Sequence, residues 1–427
     1  MTAIVIVGAG ECGTRAALAL RDAGHRGKVT LIGEEPHPPY ERPPLSKDAL
    51  IAPELAPKPV AGSGGLAVAG IDLRPGVRVR GIDRAARRLD TTAGAIAYDR
   101  LLLATGARAR PLAPESAGAG APPILTLRTL DDAARIRASL TPGCRLAVIG
   151  GGFIGLELAA TARRLGAAVT VIEAQPRLLA RGVPAALAAI LAERHRAEGI
   201  DLRLSTPVAG LGPDGVVLRD GGRVDADLIV AGIGASPETA LAAAAGLALD
   251  NGIAVDATLA TEDPAIFAAG DCASVPHPLY DGRRIRLESW RSAQEQGALA
   301  AQNLMGAGQA VSAVPWVWSD QYDLTLQVAG LAEGATAEVR RDLPGGAVIL
   351  FHLAPDGRLL AASGLGPGNA VARDIRLAEM LIARRRAPDP RALADPGAGL
   401  EALLQACAGP RSCNRSGAST GCGTARR

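Results

Sequence analysis

Leu146-Ala147-Val148-Ile149-Gly150-Gly151-Gly152-Phe153-Ile154-Gly155 decides how this chain folds, together with the Val169-Thr170-Val171-Ile172-Glu173 that follows an apolar helical stretch. A β-branched run enters a glycine turn, a helix leaves it, and a second β-branched run ends in one acid. This is a strand–turn–helix–strand unit carrying Gly-x-Gly-x-x-Gly at Gly150, Gly152 and Gly155. The glycines let the backbone turn tightly and approach a pyrophosphate, and the helix start offers it unpaired N–H groups. Glu173 falls roughly 20 residues past the turn, where a carboxylate accepts hydrogen bonds from a ribose 2′-OH. A bare glycine pattern would be weak evidence, but here both strands, the helix and the acid accompany it.

The same unit opens the chain. Ile4-Val5-Ile6-Val7 runs into Gly8-Ala9-Gly10-Glu11-Cys12-Gly13, a helix extends to about Asp22, and Val29-Thr30-Leu31-Ile32-Gly33-Glu34 again ends in an acid. Two complete fingerprints imply two dinucleotides, because each pocket holds one adenosine ribose. Two dinucleotides in one chain point to FAD plus a nicotinamide cofactor, and so to electron transfer between them.

Composition narrows the field. At 427 residues there is room for two or three domains. Charged residues are 21% and the net charge is +3, with no concentrated basic stripe, so no nucleic-acid partner is expected. No apolar run reaches the roughly 18 residues of a membrane span. The first strand begins almost at once, so no signal peptide is expected. The six cysteines, Cys12, Cys144, Cys272, Cys407, Cys413 and Cys422, form no Cys-x-x-Cys or Cys-x-x-x-x-Cys pair. That fits a reducing cytoplasm and no disulfide scaffold. Arginine is abundant throughout, so Arg384-Arg385-Arg386 reads as a solvated face.

Between and beyond the fingerprints lie several smaller signals. Pro38-Pro39-Tyr40-Glu41-Arg42-Pro43-Pro44-Leu45-Ser46-Lys47 reads as a proline-stiffened loop with an N-capping Ser46, or as a rigid arm presenting one lysine near the first dinucleotide. The glycine-rich residues 62–70 read as a loop, and Val77-Arg78-Val79 as a strand. Leu101-Leu102-Leu103-Ala104-Thr105-Gly106-Ala107 is an apolar strand ending in Thr-Gly, and Ala265 to Ala273 one ending in Gly270-Asp271. An aspartate so placed bonds ribityl hydroxyls if it faces a dinucleotide, or else makes an Asx turn. Arg286 to Gly297 opens a helix. Aromatic residues are only 2% of the chain, which makes the cluster Trp316, Trp318 and Tyr322 unusual. On a strand the two tryptophans share a face, as a core ladder or as a docking surface. Residues 324–330 and 347–354 read as strands. From about 406 large apolar residues almost vanish and disorder is expected. The tail's three cysteines fall short of the four thiolates a simple cluster needs.

Tyr40–Lys47 resembles the Tyr-x-Arg-Pro-Pro-Leu-Ser-Lys signature of the FAD-dependent ferredoxin reductases of bacterial oxygenase systems, and Pro315–Gln321 resembles their Pro-Trp-x-Trp-Ser-Asp-Gln motif. Arg391 to Pro396 is similar to their closing motif, so the resemblance runs from residue 1 to about 405. It implies the α/β fold of the pyridine nucleotide–disulfide oxidoreductase superfamily: two Rossmann-like dinucleotide-binding domains, arranged as in glutathione reductase, with a smaller α+β C-terminal domain. The implied limits are 1–115 with 241–320 for FAD, 116–240 for NAD, and 321–405 for the third domain, ahead of a tail at 406–427. The implied cofactors are FAD and NADH, with no metal. The implied partner is a separate 2Fe-2S ferredoxin, and the chain would be a monomer or homodimer.

The resemblance also assigns roles. Lys47 would lie beside the reacting ring with Glu157 paired to it, and Trp316 would stand where the acceptor docks. Toward FAD it implies Gly8, Gly10, Cys12, Gly13, Glu34, Arg42, Lys47, Val79 at the adenine, Thr105, Gly106, Arg128 near the pyrophosphate, Asp271, and Trp290 through its backbone. Toward NADH it implies Gly150, Gly152, Ile154, Gly155, Glu173, Gly232 and Arg181, the last preferred over Arg177. One alternative is a disulfide reductase or thiol-dependent NADH oxidase, which needs a redox cysteine near the flavin, where Cys12 is the candidate. The other is a redox-sensing flavoprotein of the apoptosis-inducing-factor type.

Overall fold

The computed structural model of the chain describes residues 2–52, 56–62, 64–112 and 120–406. The tail expected to be disordered, with Cys407, Cys413 and Cys422, lies outside the described residues.

Each fingerprint strand is the centre of a five-stranded parallel sheet. In the first, the order is Ile266–Ala268, Arg100–Leu103, Ile4–Val7, Val29–Ile32, Asp72–Arg74. In the second it is Asp201–Arg203, Ala168–Ile172, Arg145–Ile149, Leu228–Ala231, Ile124–Leu125. The strands Ile4–Val7, Val29–Ile32 and Leu228–Ala231 are buried at every position, which is why they are apolar runs interrupted only by the buried Thr30. Both sheets reverse their strand order at the fingerprint strand, so each glycine turn opens into a crevice beyond the carboxyl edge. Ala107–Ala109 pairs antiparallel with Ala235–Pro237, where the chain passes into and out of the second unit.

The helices leaving the first turn and ending near the third unit, Glu11–Asp22 and Trp290–Leu304, pack closely. Gly297 permits it: a Cβ there would come within 2.4 Å of the Cys12 carbonyl oxygen. Trp290, the first residue of its helix, lines the same cleft as the first glycine turn. The third unit is a five-stranded antiparallel sheet in the order Trp316–Gln321, Leu324–Gly330, Leu359–Pro367, Val348–Leu353, Ala337–Asp342. Helix Ala372–Ala383 covers one face, with Val371 and Ile375 against Gly364. The other face meets helix Phe153–Arg164 of the second unit through Ser319 and Glu157.

Four local expectations are corrected. The limit between residues 320 and 321 cuts a strand: Trp316–Gln321 pairs along its whole length with Leu324–Gly330, so Trp316 belongs to the third sheet. Residues 65–68 form a helical turn and not a loop, entered through Gly64 in the left-handed region at φ +75°. The strand expected at 77–79 begins only at Val79. Ser46 caps no helix, because Pro43–Ser46 is a 3₁₀ turn and Lys47 precedes helix Asp48–Ile51 without a side-chain cap. The Ser46 hydroxyl turns inward instead, to Glu157. Among the described residues no helix is long and apolar enough to cross a membrane.

Candidate active site

The two glycine turns are built alike. Gly8 has φ +111°, and a Cβ there would lie 2.1 Å from the Ala104 carbonyl oxygen. Gly150 has φ +110° and would meet Gly232 O at 2.4 Å. The third glycines seat each helix on its own turn: a Cβ would lie 1.9 Å from Gly8 O at Gly13, and 2.3 Å from Gly150 O at Gly155. The middle glycines differ, for nothing lies within 4 Å of a Cβ on Gly10, and only Gly232 O, at 4.0 Å, for one on Gly152. Both are helix N-caps with no side-chain hydrogen bond. Each turn therefore offers a helix start without a side-chain cap, facing open space, which fits a pyrophosphate.

One cleft of about 2640 Å³ joins the turns, well above the roughly 300–1,000 Å³ of an ordinary small-molecule pocket. Every site residue expected from the sequence lines it except Gly13, which packs behind the turn. Ile154 stands 45% exposed in it. The two acids are held differently. Glu173 takes hydrogen bonds from Gly151 N and Gln175 N, both at 2.7 Å, so its carboxylate is tied across the second turn. Glu34 is exposed and pairs with Arg78 at 2.5 Å. Arg177 donates to the carbonyls of Leu178, Leu179, Ala180 and Val183 and so closes its own loop. Arg181 is exposed beside Gly234.

On the side of the first glycine turn, Arg128 donates to Asp271 at 3.0 Å. Burial pushes the Asp271 carboxyl up, against the pull of Arg128. Arg42 donates to Glu35 at 2.6 Å and to the Arg128 carbonyl at 2.7 Å, so loop 36–47 is fastened to the segment before helix Leu130–Ser139. Thr105 donates to the Glu238 carbonyl at 2.6 Å, and Gly106, at φ +72°, makes the bend after it.

The three units meet at Lys47 and Glu157. Lys47 Nζ lies 3.0 Å from Glu157 Oε1. Glu157, 4% exposed, also accepts from Ser46 at 2.5 Å and from Ser319 at 2.7 Å. Burial pushes this carboxyl up, opposed by Lys47 and the two hydroxyls. Lys47 Nζ lies 5.6 Å from the Trp318 ring centre, Trp318 stacks on Trp316 at 5.4 Å, and Arg291 lies 5.4 Å from Trp316. Trp290 meets Trp318 edge-on at 5.6 Å, with its buried Nε1 unpartnered. All three tryptophans of the chain thus sit in one group beside the lysine. The sequence reading put Trp318 on the same strand face as Trp316 but gave the docking role to Trp316 alone. It missed Ser319, for which no local signal exists, and treated Ser46 as a cap.

Thiol chemistry finds little footing. Cys12, Cys144 and Cys272 are free and buried. Burial pushes each thiol up, and Cys272 spends its proton on the carbonyls of Leu103 and Ala269. Among the described residues no group of His, Cys, Asp or Glu is placed to hold a metal ion.

The pyridine nucleotide-disulphide oxidoreductase family matches residues 2–297, and the reductase C-terminal family matches 316–404. The chain is 44% identical over 408 residues to the ferredoxin–NAD(+) reductase component of the anthranilate 1,2-dioxygenase system of Burkholderia cepacia, covering 94% of this chain and 98% of that one. It is 40% identical to rhodocoxin reductase of Rhodococcus erythropolis, covering 90% and 92%. The crystal structure of a covalent putidaredoxin reductase–putidaredoxin complex superposes with TM-score 0.87 at 37% identity, covering 95% of this chain and 98% of that one.

Proposed function

The chain belongs to the pyridine nucleotide-disulphide oxidoreductase family, and from that premise we infer that it is an NADH-dependent reductase passing electrons through FAD to a separate iron–sulfur ferredoxin. The observation that carries this reading is the meeting of two glycine cradles, the Lys47–Glu157 pair and a tryptophan group in one cleft, with the cysteines of the described residues buried. Relatives named as components of dioxygenase and redoxin-dependent systems support an oxygenase as the final destination of the electrons. We assign the protein to the cytoplasm.

Bound FAD would accept an electron pair from the nicotinamide and release it one electron at a time. The chain supplies binding, charge and exclusion of water. Gly8 and Gly10 leave the first helix start to the FAD pyrophosphate, and Gly150 and Gly152 leave the second to NADH. Val79 lies toward the adenine, Glu34 toward a ribose, and Asp271, Arg128 and Thr105 toward the ribityl and pyrophosphate end. Glu173 keeps lone pairs free for the ribose diol, since each oxygen accepts one backbone bond. Tied down in this way, it cannot swing aside for a 2′-phosphate. Lys47 keeps a positive charge at the reacting end, with Glu157 fixing its direction. Trp318 and Trp316 close that end and give a ferredoxin an aromatic surface.

The experiment is reduction of cytochrome c by NADH with FAD-loaded protein, with and without a [2Fe–2S] ferredoxin. Strong dependence on the ferredoxin is expected. Flavin that NADH does not bleach, or turnover of a disulfide in place of the ferredoxin, would overturn the reading.

A further inference from the structure

Glu157 is also held from the side away from Lys47. Behind Ser319 runs an unbroken chain of hydrogen bonds. Gln321 Nε2 donates to Ser319 Oγ at 3.1 Å, His195 Nε2 lies 2.8 Å from Gln321 Oε1, and Tyr322 OH lies 3.1 Å from His195 Nδ1. Ser319 and Gln321 are 1% exposed and His195 is 0% exposed. The chain crosses a boundary: Ser319, Gln321 and Tyr322 come from the third sheet and its first hairpin, while His195 and Glu157 come from two helices of the second unit.

Its direction is forced from one end. An ionised carboxylate only accepts, so the Ser319 hydroxyl points at Glu157 and must itself accept from the Gln321 amide. The Gln321 carbonyl then faces His195, so Nε2 carries the ring proton and Nδ1 receives the Tyr322 hydroxyl. Burial lowers the His195 pKa and raises that of Tyr322, so both remain neutral in these roles. The charged groups near His195 are Arg194 and Glu198 of its own helical segment, and among the described residues the charge facing Glu157 is that of Lys47. An amide link passes no proton, so the chain holds a charge and conducts nothing.

Tyr322 is the first residue of the two-residue hairpin loop between Gln321 and Leu324, and its φ of +59° is the left-handed conformation such a loop takes there. From this turn its hydroxyl meets His195, the rings pack edge-on at 5.2 Å, and Arg194 lies 5.1 Å from the ring centre.

We propose that Tyr322, His195, Gln321 and Ser319 form a one-way hydrogen-bond chain that keeps Glu157 ionised and in one orientation, which makes them positioning residues for electron transfer from NADH to the flavin. The proposal rests on the reductase reading for where the reaction happens, but the chain itself is read from the geometry alone.

Loss of one donor to a buried carboxylate raises its pKa by about one unit or more. Ser319→Ala removes such a donor and should move two profiles to higher pH by about one unit, and His195→Leu, which only releases the amide behind Ser319, should move them in the same direction by less. These are the acid limb of single-turnover flavin bleaching by NADH, and the pH titration of the flavin's visible absorption without NADH. His195→Gln returns an N–H near the Nε2 position and should restore both. In a Glu157→Gln background, Ser319→Ala should shift neither. Wild-type profiles in both Ser319→Ala and His195→Leu, or a shift that survives without Glu157, would overturn the proposal. Should His195→Leu fail to fold, Ser319→Ala decides alone. If NADH does not bleach the wild-type flavin, the reductase reading fails, while the absorption titration still decides the chain.

Discussion

Lys47 shows how a single residue acquires a role from its neighbours. Its side chain is 18% exposed and salt-bridged to a carboxylate that is itself nearly buried, so removing it strands Glu157 and, on the reading proposed above, takes the positive charge from the reacting end. Lys47→Met is expected to retain FAD, because the pyrophosphate cradle is elsewhere, and to slow flavin bleaching by NADH on the order of 10²-fold. Stopped-flow absorbance measures this, and an unchanged rate would return Lys47 to a purely structural place. Glu173 allows a second expectation. A 2′-phosphate against a carboxylate tied by two backbone N–H groups costs several kcal/mol, roughly 10²-fold in kcat/KM for NADH over NADPH. Glu173→Ala should narrow that preference chiefly by weakening NADH, and should also loosen the turn at Gly151. Equal efficiencies for the two cofactors in the wild type would remove Glu173 from the ribose site.

Whole elements were legible in the sequence where local pattern and buried role coincide. The two strand–turn–helix–strand units could be read because a doubly covered parallel strand is mostly apolar and β-branched, and its turn must be glycine. The strand at 316–321 could be read as a strand, yet its unit could not, because sheet membership is settled by a partner strand after the hairpin. Ser319 and His195 were invisible for the same reason: their roles are made by contacts between residues 126 or more positions apart in the chain. Trp318 was placed on the shared face from its spacing, but its contact with Lys47 was not legible there. The paired tryptophans give this element its prediction. Trp316→Ala should leave flavin bleaching nearly normal while weakening the ferredoxin complex by about 2 kcal/mol, some 30-fold in Kd. A variant that loses FAD or unfolds would make Trp316 packing for Trp318 and nothing more.

At the scale of the molecule, stability and electron flow make separate demands. His195, His277 and His352 are buried with lowered pKa values, in each case through burial first. The unfolded chain binds protons at these sites below about pH 6.5, and the folded chain resists doing so. Their stabilising contribution is therefore complete above that pH and fades as pH falls through the folded-state values. The melting temperature of the FAD-loaded protein should drop between about pH 7 and about pH 5, and a flat profile in calorimetry would show that these histidines accept protons without cost.

Electron flow, on the reading proposed above, runs from nicotinamide to flavin to an external one-electron acceptor, and among the described residues Cys12, Cys144 and Cys272 are buried and unpaired. The most direct measurement uses a chain truncated at about residue 405 with Cys12, Cys144 and Cys272 changed to serine. It is loaded with FAD, reduced anaerobically by NADH, and mixed with oxidised [2Fe–2S] ferredoxin. Per bound flavin, the ferredoxin should be reduced at a rate within a few-fold of that of the unaltered protein. Intact flavin loading with collapsed ferredoxin reduction would put a thiol in the path and contradict the account.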